Sequence, residues 1–176
     1  MDKIEKVTII GSGPAGYTAA IYAARAGLSP LMISGLEQGG QLMITTDVEN
    51  YPGFENPIQG PWLMDQMKNQ AQAFGTRIKN DFVKEITFEK RPFELITEKE
   101  SIKSHSVIIA TGAQAKWLNV KGEKEFMGYG VSACATCDGF FFKGKEVAVI
   151  GGGNTAAEES LFLSNLCEKV YLIHRR

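Results

Sequence analysis

The sequence is poor in the residues that build metal centres and secreted frameworks. It carries three cysteines and two histidines in 176 residues. A structural zinc site needs four ligands. Beyond Cys134 and Cys137, only Cys167, His105 and His174 remain, none at partner spacing, so no metal site is expected. Three cysteines, two of them closely spaced, are not a secreted disulfide scaffold. An excess of charge is missing too. Nineteen Lys and Arg against twenty Asp and Glu leave a formal charge of −1. No bulk field therefore recruits nucleic acid or an anionic membrane. No apolar run approaches the ~20 residues that span a bilayer. The start, Met1-Asp-Lys-Ile-Glu-Lys-Val7, has no long apolar segment after a basic stretch, so no signal peptide is visible. A reducing compartment, the cytoplasm, is the expectation, with any disulfide transient and catalytic. The hydrophobic content of 44 % against 22 % charged suits a packed globular core.

Against that background the pair Cys134-Ala-Thr-Cys137, followed by Asp138-Gly139, stands out. Two thiols at this spacing close a small ring that opens and recloses without large backbone movement. The pair lies just before an apolar strand that runs into Gly151-Gly-Gly-Asn154. Beside a nucleotide-binding turn it reads as an electron relay. The competing readings are half a zinc site and two unrelated cysteines.

That turn is the second copy of an internal repeat. Val7-Thr-Ile-Ile-Gly11-Ser-Gly13-Pro-Ala-Gly16 and Val147-Ala-Val-Ile-Gly151-Gly-Gly153-Asn-Thr-Ala156 are related by a constant offset of 140 residues. The offset holds without a gap to Ile33 and Ile173. Helical stretches over 14–26 and 154–166 follow the turns, and short strands over 31–33 and 170–173 follow the helices. In a strand, glycine turn and helix, the first glycine permits the tight turn and the second lets backbone N–H groups approach a pyrophosphate. The third allows close helix–strand packing. Gly11, Ser12, Gly13, Pro14, Ala15 and Gly16 are therefore candidates at one dinucleotide site, and Gly151, Gly153, Asn154, Thr155 and Ala156 at another. One such turn is a weak signal, and two in the same context are a much stronger one.

The ends of the second strands separate the two sites. Glu37, 21 residues beyond Gly16, stands where a carboxylate would hold ribose hydroxyls, or is a solvated loop charge. His174-Arg175-Arg176 ends the other copy with no acid. Guanidinium forks there suit a 2′-phosphate, so NADP(H) is expected over NAD(H), unless this is only a basic surface. Glu158, one turn into the second helix, falls near the nicotinamide or is a solvated carboxylate. Between the copies, the polar loop with Gly40, Gln41, Leu42, Thr45 and Asn50 could present donors to a ring system or simply connect. The stretch 62–74 reads as an amphipathic helix with Trp62, Leu63, Gln66, Met67, Gln70 and Phe74 partly on one face. Segments 82–88, 93–97 and 101–103 read as an antiparallel meander. A buried strand over 106–110 ends in Ala110-Thr111-Gly112, where the glycine allows close approach or a turn. The stretch 113–120 looks like a linker.

The combination of a flavin-type turn, an NADP-type turn and a Cys-x-x-Cys just before the latter resembles low-molecular-weight thioredoxin reductase. The matching residues run from Gly11–Gly16 through Gly39–Leu42, Glu49–Gly53, Ala110–Gly112, Cys134–Gly139 and Gly151–Ala156 to His174–Arg176. The resemblance implies an α/β fold of two Rossmann-like FAD/NAD(P)-binding domains of three-layer ββα type. Residues 1–114 would be the N-terminal portion of the FAD domain, and 115–176 a truncated NADP domain carrying the redox pair. It implies that NADPH reduces FAD, that reduced flavin opens Cys134–Cys137, and that the dithiol reduces thioredoxin or a thioredoxin-like protein. Cys137 would face the flavin, Cys134 would attack the partner, and Asp138 would handle protons or serve only the turn. A homodimer, no nucleic acid and no membrane are further expectations.

Two such domains need roughly 300 residues. The chain is therefore expected to be an N-terminal part, lacking the C-terminal part of its first domain, with weak FAD retention and little turnover alone. Two other readings are a flavin-dependent dithiol oxidase, against which the His174–Arg176 cluster argues, and a non-catalytic nucleotide-binding fragment.

Overall fold

The computed structural model describes residues 3–45 and 47–175. It divides into two compact units, Met1–Gln114 and Ala115–Arg176. Among the described residues no helix is long and apolar enough to cross a membrane.

In the first unit, β1 is Ile4–Glu5 and β2 is Thr8–Ile10, and α1, Pro14–Arg25, leads to β3, Leu31–Ile33. Pro14 suits the first turn of α1, where its missing N–H is no loss, and Gly27, with φ +73°, follows the helix end. A short antiparallel pair, β4 (Asp47–Val48) and β5 (Ile58–Gln59), precedes α2, Gly60–Ala73. Then come β6 (Arg77–Lys79), β7 (Val83–Thr87), β8 (Phe93–Thr97), β9 (Ser101–Ser104) and β10 (Val107–Ile109). Strands β10, β2, β3 and β6 form a wholly parallel sheet in that order. Strands β7, β8 and β9 form the expected antiparallel meander, and β1 adds to β9 in parallel.

Side chains alternate faces along a strand, and the core follows that rule. Ile9 and Met32 pack with Tyr17, Ala20 and Ile21 of α1 and Leu63, Met64, Met67 and Ala71 of α2. Their neighbours Ile10, Leu31 and Ile33 pack with Leu95 and Ile102 of the meander. The result is three layers: helices, parallel sheet, meander. The buried Thr8 hydroxyl donates to Ser104 Oγ at 2.9 Å and fastens the last two layers together.

The buried face of α2 differs from the expected one. Leu63, Met64, Met67 and Ala71 are buried, whereas Trp62 is 47 % and Phe74 41 % exposed. The aromatics find local partners instead. Trp62 stands edge-on to Phe54 at 5.9 Å, and the Arg25 guanidinium lies 5.1 Å from the Phe74 ring centre. The inner face is left to flexible methionines and small alanines, which fit where α1 and α2 meet.

Strand β1 carries an ion pair that polarity alone does not announce. The largely buried Glu5 carboxylate accepts from both terminal nitrogens of Arg77, Nη1 at 2.9 Å. Those hydrogen bonds hold the Glu5 carboxyl below its usual range, outweighing the opposite push of burial. Arg77→Met is expected to cost about 1–2 kcal/mol at neutral pH. A depressed carboxylate contributes stability that is present above its unfolded value, about 4.3, and lost as pH falls through its folded value. Urea melts taken from neutrality into acid should show the wild-type curve converging on that of Arg77→Met. Two curves that stay parallel would contradict the pairing.

The second unit holds β11 (Glu146–Ile150) and β12 (Lys169–Ile173), paired in parallel along five residues. Two helices complete its regular structure, the one-turn α3 (Ala135–Asp138) and α4 (Asn154–Ser164), with a 3-10 turn at Gly139–Phe142. Helix α4 stops two residues before the expected Leu166. Asn165 ends it, and its side-chain amide donates to the Leu161 carbonyl at 3.1 Å. Near the start of the unit the buried Glu123 carboxylate accepts the N–H of Leu118 at 2.8 Å and of Asn119 at 2.6 Å. The stretch expected as a linker is thus partly pinned by one acid.

Candidate functional site

The first glycine turn sits at the carboxyl ends of β2, β3 and β10, where ligands bind in parallel α/β sheets. The Gly11 N–H donates to the Ile33 carbonyl at 2.8 Å. A Cβ on Gly11 would lie 2.2 Å from the Ala110 oxygen, and one on Gly16 would lie 2.1 Å from the Gly11 oxygen. These two glycines serve packing. Gly13 differs: a Cβ there would meet nothing within 4 Å. It caps α1 with no side-chain cap and no acid in the first turn, and the first helical bond is Tyr17 N–H to the Gly13 carbonyl at 3.0 Å. The N–H groups of Ala15 and Gly16 therefore lack helical acceptors and suit an anion, which the positive end of the helix also favours.

Around this N-terminus stand the other predicted residues. Glu37 is exposed just past β3, and its side chain has no partner among the described residues. Gly39, φ +91°, and Gly40, φ +66°, turn the chain back so that a Cβ on Gly40 would lie 3.5 Å from Gly13 Cα. The Gln41 amide donates to the Ala113 carbonyl, and the Thr45 hydroxyl donates to the Gln41 carbonyl at 3.3 Å. Together they join this loop to the segment that follows Ala110, Thr111 and Gly112. Leu42 packs against the helix-side core, whereas Asn50 is exposed, with no side-chain bond among the described residues. The side chain of Ser12 is engaged within the fold. Its buried hydroxyl donates to the Ser34 carbonyl at 2.8 Å and accepts the Gly39 N–H at 3.1 Å. Burial pushes the nearby Tyr17 phenol up. Ser12 is a brace between the turn and the loop. Ser34 carried no sequence signal for this network.

The second turn repeats the first. The Gly151 N–H donates to the Ile173 carbonyl at 2.9 Å, and Gly153 caps α4 with no side-chain cap and no acid in its first turn. A Cβ on Gly153 would meet nothing within 4 Å, while one on Gly151 would lie 2.9 Å from the Ala156 Cβ. Asn154, Thr155 and Glu158 are exposed on the first turns of α4. His174 lies over the turn: a Cβ on Gly152 would come within 3.3 Å of His174 Cβ. Arg175 is exposed beside it, and Arg176 lies outside the described residues. Both turns thus combine open space at the middle glycine with uncapped N–H groups. That is the cradle a dinucleotide pyrophosphate requires, so the residues present fit such cofactors.

Cys134 and Cys137 are joined in a disulfide, with Cα atoms 5.3 Å apart. Cys137 is exposed and Cys134 half-buried. The one-turn helix that carries them is seated on α4. Ala135 is buried, and a Cβ on Gly139 would strike Leu163 Cδ2 at 2.9 Å. The Ala135 N–H donates to Glu159 Oε1 at 3.2 Å. Ser132 supports the pair from the other side. Its hydroxyl accepts the Cys134 N–H at 3.0 Å and donates to Asp138 Oδ2. Asp138 is thereby linked through one hydroxyl to the backbone of the first cysteine. Sequence reasoning missed Ser132 and Glu159, because neither belongs to a motif. The disulfide and the second glycine turn share one helix, at its side and at its N-terminus.

The chain matches the family model described as pyridine nucleotide-disulphide oxidoreductase over residues 5–176. It is 59 % identical over 172 residues to a thioredoxin reductase of Rickettsia felis, covering 97 % of this chain and 56 % of that protein. With a thioredoxin reductase of Escherichia coli O157:H7 the identity is 54 % over 174 residues, covering 99 % and 54 %. Among solved structures it is similar to thioredoxin reductase from Giardia duodenalis, with a TM-score of 0.87 and 46 % identity over 95 % of this chain and 54 % of that one. The likeness to the enzyme from Streptococcus pyogenes gives 0.87 and 41 %, covering 100 % and 57 %. The chain thus spans a little over half the length of the relatives it matches. Sheet topology, repeated turns and family match agree: the chain belongs to the pyridine nucleotide-disulphide oxidoreductases.

Proposed function

We propose that this chain is part of an NADPH-dependent disulfide reductase that passes electrons through Cys134–Cys137 to thioredoxin or a thioredoxin-like disulfide protein. The observation that carries the reading is the closed disulfide seated on α4, the helix whose N-terminus is the second glycine turn. The names and similarity of the relatives support it. In this reading residues 1–114 hold FAD and residues 115–176 hold NADPH. Ala15 and Gly16 give N–H groups to one pyrophosphate, beside the open face of Gly13, and Glu37 accepts from ribose hydroxyls. Gly40, Gln41, Leu42, Thr45, Asn50 and Ala110–Gly112 surround the rest of that cofactor. Thr155 and Ala156 give N–H groups to the other pyrophosphate, and His174, Arg175 and Arg176 face the 2′-phosphate. Asp138 holds the proton that the thiols exchange. Bound FAD supplies a two-electron acceptor between nicotinamide and disulfide. The working protein is a cytoplasmic homodimer.

An anaerobic titration with NADPH tests this. The complete, FAD-loaded enzyme that contains this chain should lose its flavin absorption on addition of NADPH, and two new thiols per subunit should then react with a thiol reagent. Loss of absorption only on addition of a dithiol would favour an oxidase, and no change would favour a non-catalytic nucleotide-binding role.

A further inference from the structure

Glu159 belongs to no motif, yet it touches the redox segment directly. It sits on α4 one turn before Leu163, which packs under Gly139. Its carboxylate accepts the N–H of Ala135, the residue next to Cys134. Two consequences follow. The bond holds the Cys134–Cys137 turn against α4. It also places a negative charge beside Cys134 and occupies a backbone donor that a thiolate there could use.

We propose that Glu159 is a positioning residue that sets the redox balance of the Cys134–Cys137 pair. Opening the disulfide breaks one S–S bond, takes up two electrons and two protons and leaves two thiols. A neighbouring carboxylate opposes the anionic form of Cys134 by like-charge repulsion. A pair whose reduced form is not stabilised gives its electrons away more readily, just as stabilising the reduced form makes an oxidant. Glu159 therefore keeps the pair a strong reductant, as a donor to a partner disulfide requires. The other charged groups near the turn do not oppose this. Asp138, on the turn itself, is another carboxylate and is tied to Ser132. Glu158 is exposed at the adjoining position of α4, and Gly139–Phe142 contributes no charge.

This inference rests on the pair being a working redox couple, and the test separates the two. The chain, as wild type and as Glu159→Gln, Glu159→Asp and Glu159→Ala, is equilibrated with mixtures of reduced and oxidised dithiothreitol, and the fraction reduced is read by mass after alkylation. Removing the charge while keeping the shape, as in Glu159→Gln, should favour the dithiol about tenfold, which for two electrons is about 30 mV. The pH profile of iodoacetamide alkylation at Cys134 should move toward lower pH, and Glu159→Asp should stay near wild type. Added salt should move the wild-type profile in the same direction and the Glu159→Gln profile much less. This last arm keeps the test decisive where a substitution impairs folding. A Glu159→Gln chain with the wild-type balance and profile overturns the proposal, as does an effect confined to Glu159→Ala. A wild-type pair that neither opens nor recloses sinks the reductase reading itself.

Discussion

Gly16→Ala is expected to destabilise the first unit by about 3 kcal/mol or more, since overpacking against a fixed backbone is among the costlier substitutions. The added Cβ would lie 2.1 Å from the Gly11 oxygen and 2.9 Å from its carbon, and neither can move without reopening the turn. Gly11 is doubly constrained, by its φ of +105° and by an Ala110 oxygen 2.2 Å from the Cβ position. Gly13→Ala should behave in the opposite way. The backbone there is extended, with φ −72° and ψ −176°, and nothing lies within 4 Å of the new methyl. Its stability cost should stay near the ~1 kcal/mol that separates glycine from alanine at a helix cap. Its FAD affinity should fall at least about tenfold, or 1.4 kcal/mol, because the methyl takes the space a pyrophosphate would fill. Urea unfolding and quenching of FAD fluorescence on binding measure the two effects. Equal stability losses at Gly13 and Gly16, or undiminished FAD binding by Gly13→Ala, would refute the division between packing and ligand glycines.

That division is the part of the site most legible in the sequence. The 140-residue offset predicted two strand–turn–helix–strand units, and the backbone reproduces it down to paired hydrogen bonds, Gly11 to Ile33 and Gly151 to Ile173. The meander was readable as well, since alternation and turn residues are local signals. Legibility stops where an element owes its orientation to distant contacts. Trp62 and Phe74, large and apolar, point to an inner face of α2 that the fold does not bury. Their partners, Phe54 and Arg25, lie eight and forty-nine positions away in the chain and set no helical period. Ser12 reads as a cofactor residue because it stands inside the glycine motif, between Gly11 and Gly13. Its hydroxyl is instead spent on Ser34 and Gly39, 22 and 27 residues on, a link only the folded chain displays. Ser132 and Glu159 escaped for the same reason: a serine in a loop and a glutamate on a helix are ordinary residues until the fold sets them beside Cys134.

In the proposed reading, loss of either sulfur of the pair in the complete enzyme should be the largest functional effect, a fall of at least about a thousandfold in disulfide reduction, as for an enzyme stripped of its nucleophile. The two losses should nevertheless leave different proteins. Under the proposed roles, the Cys134 thiolate attacks the partner disulfide, forming one mixed S–S bond and expelling a partner thiolate. Cys137 then attacks the Cys134 sulfur, closing the intramolecular disulfide and releasing the second partner thiol, so that two electrons have moved and no sulfur is left unpaired. Cys137→Ser stops this sequence after the first half, and the reduced chain should accumulate as a covalent adduct with an oxidised partner thioredoxin, visible as a single mass species. Cys134→Ser should give no comparable adduct, because the remaining thiol is then the one assigned to resolution rather than attack. The exposures run against that assignment, since Cys137 is exposed and Cys134 half-buried. The trapping experiment is therefore a real contest. Adducts with Cys134→Ser alone would reverse the two roles, and adducts with neither variant would remove the pair from the path to a protein disulfide.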